Sequence, residues 1–356
     1  MDGISFIVTI FNKTRYLPRV IEALELQTGP FAREFIFVDD GSTDGSAEMI
    51  SKLTAGWREP GKILRQENSG ASAASNFGAS HASLPWLKLV DGDDLLLPGA
   101  TEALWSAARK AELSFAYGDL DFYDPDDAEP LGDRSPSWSV EPVADGLARF
   151  IRNCPANSSS ILVSAERYRA AGGCDERLVS PDVSLFLRLF AGGSGIRLRG
   201  PVALIPRAAP GRLSGQHRRS RYESVLALYY LVTETRGLDP SYARLASRRA
   251  LSRAYRFHVK YGKRFSLGHL ARYLASQLRL PLDPATTIYR SLGAFTEDGR
   301  SERPASWLPG ALHADQPGST AERTAMGTAE FKSHPPYAAM APQVIRSGLM
   351  QNTRNS

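Results

Sequence analysis

The chain has 356 residues, 42% of them hydrophobic and 23% charged, which is enough for one large or two modest domains with real cores. No apolar run approaches the ~20 residues that span a bilayer, and Met1-Asp2-Gly3-Ile4 leads into a strand without a basic or apolar leader, so a cytoplasmic protein is expected. The formal net charge of +5 is divided unevenly: Arg207 to Leu280 holds 16 Lys or Arg against 3 acids, a balance of +13, which leaves about −8 for the rest.

The first half alternates strand and helix patterns. Ser5 to Ile10 reads as a buried strand, and Leu17 to Leu26 carries helical spacing through Leu17, Val20, Ile21 and Leu24, with Pro18 tolerable in its first turn. Phe35 to Val38 is a second strand. Thr43-Asp44 caps a helix running through Ile50 and Leu53. Lys62 to Arg65 is a third strand, Ser72 to His81 a small-residue helix, and Trp86 to Val90 a fourth strand; Pro98 begins another helix, and Leu113 to Tyr117 returns as a strand. Right-handed crossovers make this an α/β fold, a mostly parallel sheet flanked by helices on both faces, with a C-terminal helical extension. Asp119 to Val140 is acidic and Pro-rich and reads as a long surface excursion. The residues from 211 to 295 read as a basic helical region. The tail from 296 to 356 is poor in large aliphatics and is expected to be disordered. Cys154 and Cys174 are too few and too far apart for a zinc knuckle or redox pair and read as buried free thiols.

Two carboxylate clusters carry the chemistry. Asp39-Asp40-Gly41-Ser42 and Asp91-Gly92-Asp93-Asp94 each lie directly behind a strand, at the carboxyl edge where open α/β sheets bind ligands. One acidic turn is ordinary turn chemistry. A second one, with Asp-x-Asp spacing, suits a divalent cation bridging to phosphate oxygens. Asp40 is read as capping the Gly41-Ser42 turn, Asp94 as capping the next segment and Asn76 as a loop brace. Asn157-Ser158-Ser159 matches an N-glycosylation sequon, which carries no weight without a secretion signal.

Five blocks in order resemble glycosyltransferase family 2. They are Ser5 to Asn12 with Arg15-Tyr16-Leu17; Val38 to Ser46; Asn68 to Asn76; Leu89 to Asp94 with Pro98; and Gly172 to Glu176 followed by Pro181-Asp182 and Leu187-Arg188-Leu189. They cover roughly the first 220 residues. The resemblance implies the glycosyltransferase A fold and an inverting, metal-dependent transfer of sugar from a nucleotide-diphosphate donor to a glycan or lipid-linked acceptor. Polysaccharide or lipopolysaccharide assembly is the expected setting. It also implies a catalytic domain over 1–210, with 1–118 as its nucleotide half and 119–210 as its acceptor half. Asp39, Thr9 and Asn12 would line the base pocket, Asp91 would face ribose or metal, Asp93 would coordinate Mg²⁺ or Mn²⁺, and Asp182 would be the general base. His217 sits where some relatives complete the metal shell. Relatives commonly carry Glu-Asp where this chain has Pro181-Asp182, and an arginine where it has Ser75; Arg212 or Arg218 could replace that arginine.

Three readings from other classes compete. A sugar-nucleotide nucleotidyltransferase would share the βα half but should open on a Gly-rich phosphate loop, and Ile10-Phe11-Asn12-Lys13 has no glycine. A non-catalytic nucleotide-sugar-binding protein would dispense with Asp93 or Asp182, and both are present. A phosphorelay receiver would hold its acids in one compact domain of roughly a hundred residues. No nucleic-acid module is seen among the arginines. The basic region, with Arg248-Arg249, Arg253 and Arg256 and with Lys260, Lys263 and Arg264 at near-helical spacing, is expected to form one face that meets anionic lipid peripherally.

Overall fold

A computed structural model describes residues 2–307 except 60, 127–130, 133, 135, 208–216, 262–267, 269–270, 272–273, 275–281, 297–298 and 305–306. Strand β1 (Gly3–Ile10) is followed by α1 (Leu17–Glu25), β2 (Ala32–Asp39), α2 (Ser46–Leu53), β3 (Gly61–Arg65), α3 (Ala71–Ser80) and β4 (Trp86–Asp91). These pair in the order β3-β2-β1-β4, all parallel. Every expected element of this half is present.

The remainder extends the same sheet with mixed directions. The short β5 (Leu95–Leu96), α4 (Ala100–Lys110), β6 (Phe115–Tyr123), β7 (Ser139–Pro142) and α5 (Gly146–Arg152) come next. They are followed by a 3₁₀ turn (Ser158–Ser160), β8 (Ile161–Ser164), α6 (Ala165–Ala170), α7 (Pro181–Ala191) and β9 (Ile196–Pro206). The nine-stranded sheet continues β4-β8-β6-β9-β5, with β7 also on β9. β8 is antiparallel to both neighbours, as β5 and β7 are to β9, so the sheet is mostly parallel, as expected, with its antiparallel pairs all in the second part. Strand direction depends on partners distant in sequence, which local periodicity does not record. β6 also runs on to Tyr123 and pairs there with β9, so the excursion expected from Asp119 begins only after that strand.

Alternation along β1 divides the core. Ile4, Phe6, Val8 and Ile10 pack with α1 and α4 on one face, while Ile7 joins α5, α7 and the C-terminal helices on the other. Those helices are α8 (His217–Glu234), α9 (Pro240–Tyr261) and α10 (Pro284–Leu292). Val225, Leu228, Ala246, Ala250, Phe257 and Ile288 share a single core with Phe150, Phe186 and Phe190. The basic helical region therefore packs into the core beneath α5 and α7 instead of standing apart from it. The tail boundary also moves: Tyr222 Oη donates to Ser301 O at 2.9 Å, and the Trp307 ring lies 5.4 Å from that of Tyr222, so packing continues past 296. Residues 308–356 lie outside the described set. Among the described residues no helix is long and apolar enough to cross a membrane.

At the amino edge, buried Glu34 ties β2 to the turn before β4, accepting from Ser5 Oγ (2.5 Å), Ser83 N (2.6 Å) and Ser83 Oγ (3.0 Å). Burial alone would lift its pKa, but these donors outweigh it and hold the carboxyl below its usual value. Glu34→Ala, which strands the donors, is expected to cost about 3 kcal/mol in denaturant unfolding. A depressed folded-state pKa means that Glu34 contributes its stability above pH ~4.5 and loses it as pH falls through the folded value. The acid side of the stability curve should therefore flatten in the variant.

Candidate functional site at the carboxyl edge

Register places the first site residues side by side: Ile10 lies opposite Asp39, and Thr9 lies opposite Val38 on one side and Asp91 on the other. Two glycines let the acidic turns fold back over this edge. Gly41 has φ +79°, and a side chain at Gly92 would meet Thr9 O at 2.8 Å. Asp39 is fully buried. Its Oδ1 accepts from Ser42 N at 2.9 Å, while buried Oδ2 has no hydrogen-bond donor and only the exposed Arg65 Nε at 3.4 Å. Such an acceptor is suited to an N–H brought by a ligand.

Asn12 lies in the left-handed region (φ 52°) and locks two loops together, donating from its backbone N–H to Ser42 Oγ (3.0 Å) and accepting at Oδ1 from Thr43 N (2.9 Å). Asp40 accepts from Gln66 Nε2, Ser69 N and Gly70 N at 2.7 to 2.9 Å. It braces the approach to α3, and Asp39, not Asp40, caps the Gly41-Ser42 turn. Asn76 braces Cys174 through both its amide atoms, as its setting among small residues suggested.

The Asp91 to Asp94 turn lies within electrostatic reach of Asp182 here. Burial, then Asp94, Asp182 and Asp93, push the Asp91 pKa well above its usual value. Asp182 lies in the first turn of α7 after Pro181, which presets φ for the helix start. Its Oδ1 accepts from Ser158 N (2.8 Å) and Ser158 Oγ (2.7 Å); burial raises its pKa and these bonds only partly offset the rise. Asp93 pairs with Lys13 Nζ at 2.6 Å. Asp94 accepts from Asn157 Nδ2 at 2.8 Å. Asp175 is engaged by Arg177 and Glu176 by Asn76, so neither competes with Asp182 for this position.

Sequence reading missed the role of the 157–159 run. Asn157 holds Asp94, Ser158 holds Asp182, and Ser159 Oγ accepts from Asp91 N at 2.9 Å. Ser159 O also accepts from Lys88, whose fully buried ammonium is depressed to about 7 by desolvation, against the pull of Asp94 and Asp91. The visible signal was a lysine inside an otherwise apolar strand. Glu223 was missed as well. From α8 its Oε2 accepts from Val179 N (2.9 Å) and Ser180 N (3.2 Å), fixing the chain just before Asp182, while Arg219 and Arg303 stand 3.6 Å from Oε1. Glu223→Ala leaves these two arginines unpaired and should cost about 3–5 kcal/mol by denaturant titration.

The remaining expectations divide. His217 opens α8 but its side chain lies outside the described residues, as does Arg212 altogether. Arg218 is exposed in the first turn of α8. Among the described residues no three His, Cys, Asp or Glu side chains group as a metal centre. The oxygen set of Asp91 and Asp93 nevertheless fits Mg²⁺ or Mn²⁺ bound through one or two carboxylates with ligand phosphates completing the shell, and the crowded acids call for added positive charge. The basic face is thinner than its spacing suggested, because Arg253 is turned inward and Arg249 is half-buried.

Parallel strands β2 and β4, which flank β1, end in carboxylates, and a later helix brings another acid toward them; the fold is that of glycosyltransferase A proteins. Staphylococcus aureus TarS, solved as residues 1–349 with UDP-GlcNAc, shares the fold at a TM-score of 0.59 over 83% of this chain and 84% of that one, with 14% identity. Residues 5–151 match the family Glycosyl transferase family 2. Glycosyltransferase GlyG of Streptococcus pneumoniae serotype 4 is 34% identical over 125 residues, 35% of this chain and 41% of GlyG. The lipopolysaccharide core biosynthesis glycosyltransferase LpsC of Rhizobium meliloti is 30% identical over 128 residues, 32% of this chain and 44% of LpsC. The matching segment thus spans less than half the length of these relatives.

Proposed function

We propose that the chain transfers a sugar from a nucleotide diphosphate to an acceptor hydroxyl with inversion at the sugar carbon. The observation that carries this reading is that the 157–159 run holds both Asp182, through Ser158, and the Asp91 to Asp94 turn, through Asn157 and Ser159, joining two segments about 90 residues apart in sequence. Asp182 takes the proton of the acceptor hydroxyl as its oxygen attacks the sugar carbon and the bond to the diphosphate breaks. Burial raises its pKa and makes it a better base than an exposed aspartate, while Ser158 fixes its orientation. Asp39 Oδ2 accepts a ring N–H of the base, which suits uracil, thymine or guanine, with Thr9 and the Asn12 loop as pocket wall. Asp93 and Asp91 would hold Mg²⁺ or Mn²⁺, which when bound neutralises charge on the departing diphosphate. His217 remains a candidate further ligand.

The LpsC likeness supports an acceptor in cell-surface polysaccharide or lipopolysaccharide assembly. A thermal-shift screen of UDP, dTDP and GDP, each with and without Mn²⁺, tests the donor side. A nucleotide at 100 times its Kd should add about 2.7 kcal/mol of stability. No shift with any of them would end this reading.

A further inference from the structure

The arginines where α8 meets α9 are not absorbed by the site described above. Arg249 and Arg253 stand one turn apart on α9, and Arg253 Nη1 crosses to Ser224 O on α8 at 3.2 Å. Arg221 lies three residues before Ser224 on the same helix, and Ser224 Oγ donates to its carbonyl. Arg253 is only 9% exposed, and the buried Nε of half-buried Arg249 has no hydrogen-bond partner. Among the described residues no carboxylate lies within ion-pair distance of Arg221, Arg249, Arg253 or Arg256, whereas Arg177, Arg197, Arg219 and Arg303 each have one.

Bringing like charges together out of water without an anion is unfavourable. The cost is visible in the guanidinium groups themselves. Burial, then Arg249 and Arg221, hold Arg253 down at about 10, the neighbouring Cys154 opposing them, and burial with Arg256 and Arg221 lowers Arg249. The position is also informative. Asp182 and Arg253 both act on Cys154, so the cluster lies on the side of the molecule that carries Asp182.

We propose that Arg221, Arg249 and Arg253 bind a phosphate group carried by the acceptor. The proposal rests on the transferase reading, since it assigns the acceptor of that same site. Guanidinium groups converging from two helices suit phosphate because several N–H donors can reach its oxygens at once. The same chemistry is offered by a lipid phosphate or by a soluble phosphate ester.

The test titrates inorganic phosphate into the full chain by calorimetry, bare and again with its donor site filled by the nucleotide found in the screen. Binding that survives nucleotide saturation, and that Arg249→Gln and Arg221→Gln each weaken by about tenfold or more, is the expected result. In phosphate-free buffer both variants should melt at the parent temperature or above it, because a repelling charge has gone. Lower melting with unchanged phosphate affinity would make the arginines structural and overturn the proposal. Absence of phosphate binding in a chain that binds nucleotide overturns it alone, while absence of nucleotide binding strikes the transferase reading and leaves the phosphate titration of the bare chain to decide the anion site. Phosphatidylcholine vesicles with and without phosphatidic acid, set beside glycerol 3-phosphate, separate the sources. Arginine-dependent capture on phosphatidic acid assigns a lipid phosphate, and arginine-dependent glycerol 3-phosphate binding without capture assigns a soluble one.

Discussion

Asp182→Asn is expected to bind donor nearly as tightly as the parent and to transfer sugar roughly 10²–10⁴-fold more slowly, the usual contribution of a general base. The amide keeps the size of the side chain and can still accept from Ser158, so α7 and the 157–159 run should remain in place. Donor affinity measured by calorimetry beside kcat measured with an acceptor separates the two effects. The parent should also lose turnover as pH falls through the Asp182 pKa, at a higher pH than for an exposed aspartate because burial raises that value. Full turnover in the variant would remove Asp182 from the chemistry. Asp175 and Glu176 would be poor substitutes, since Arg177 and Asn76 already engage them.

Asp93→Ala should remove the Mn²⁺-dependent part of nucleotide binding, so that the thermal shift of the variant with Mn²⁺ falls from the ~2.7 kcal/mol expected at saturating ligand to the value seen without the metal. The fold should tolerate the change. Asp93 is buried but its ionic partner Lys13 is partly exposed, so once the acid is removed the ammonium can turn to solvent and no charge is left buried and unpaired. Metal-free nucleotide affinity should be unchanged or slightly higher, because Lys13 is released toward the phosphates. Retained Mn²⁺ dependence in the variant would move the metal elsewhere.

The parallel half of the fold was legible because its signals are local. Buried strands read as apolar runs, Pro18 marks the first turn of α1, and the Asp-Gly turns name the ends of β2 and β4. The antiparallel strand β8 was not legible. Its four residues, Ile161 to Ser164, carry no sign of the β4 and β6 edges that receive them.

Residue type and order alone determined that Asp39, Asp91 and Asp93 would crowd one sheet edge, since each follows an apolar strand by a fixed number of residues. Sequence order also brought Asp182 forward as a candidate, through the family resemblance and not through any periodicity. Tertiary structure decided everything that depends on contacts between distant segments. It placed Asn157, Ser158 and Ser159 beneath three different acids, and it set Glu223 of α8 behind the chain that presents Asp182. It also turned Arg253 inward where helical spacing alone suggested an outer basic face. The physical reason is common to all of these: a hydrogen bond or an ion pair is made by proximity in space, and a side chain's partner tens of residues away leaves no mark on its own local sequence.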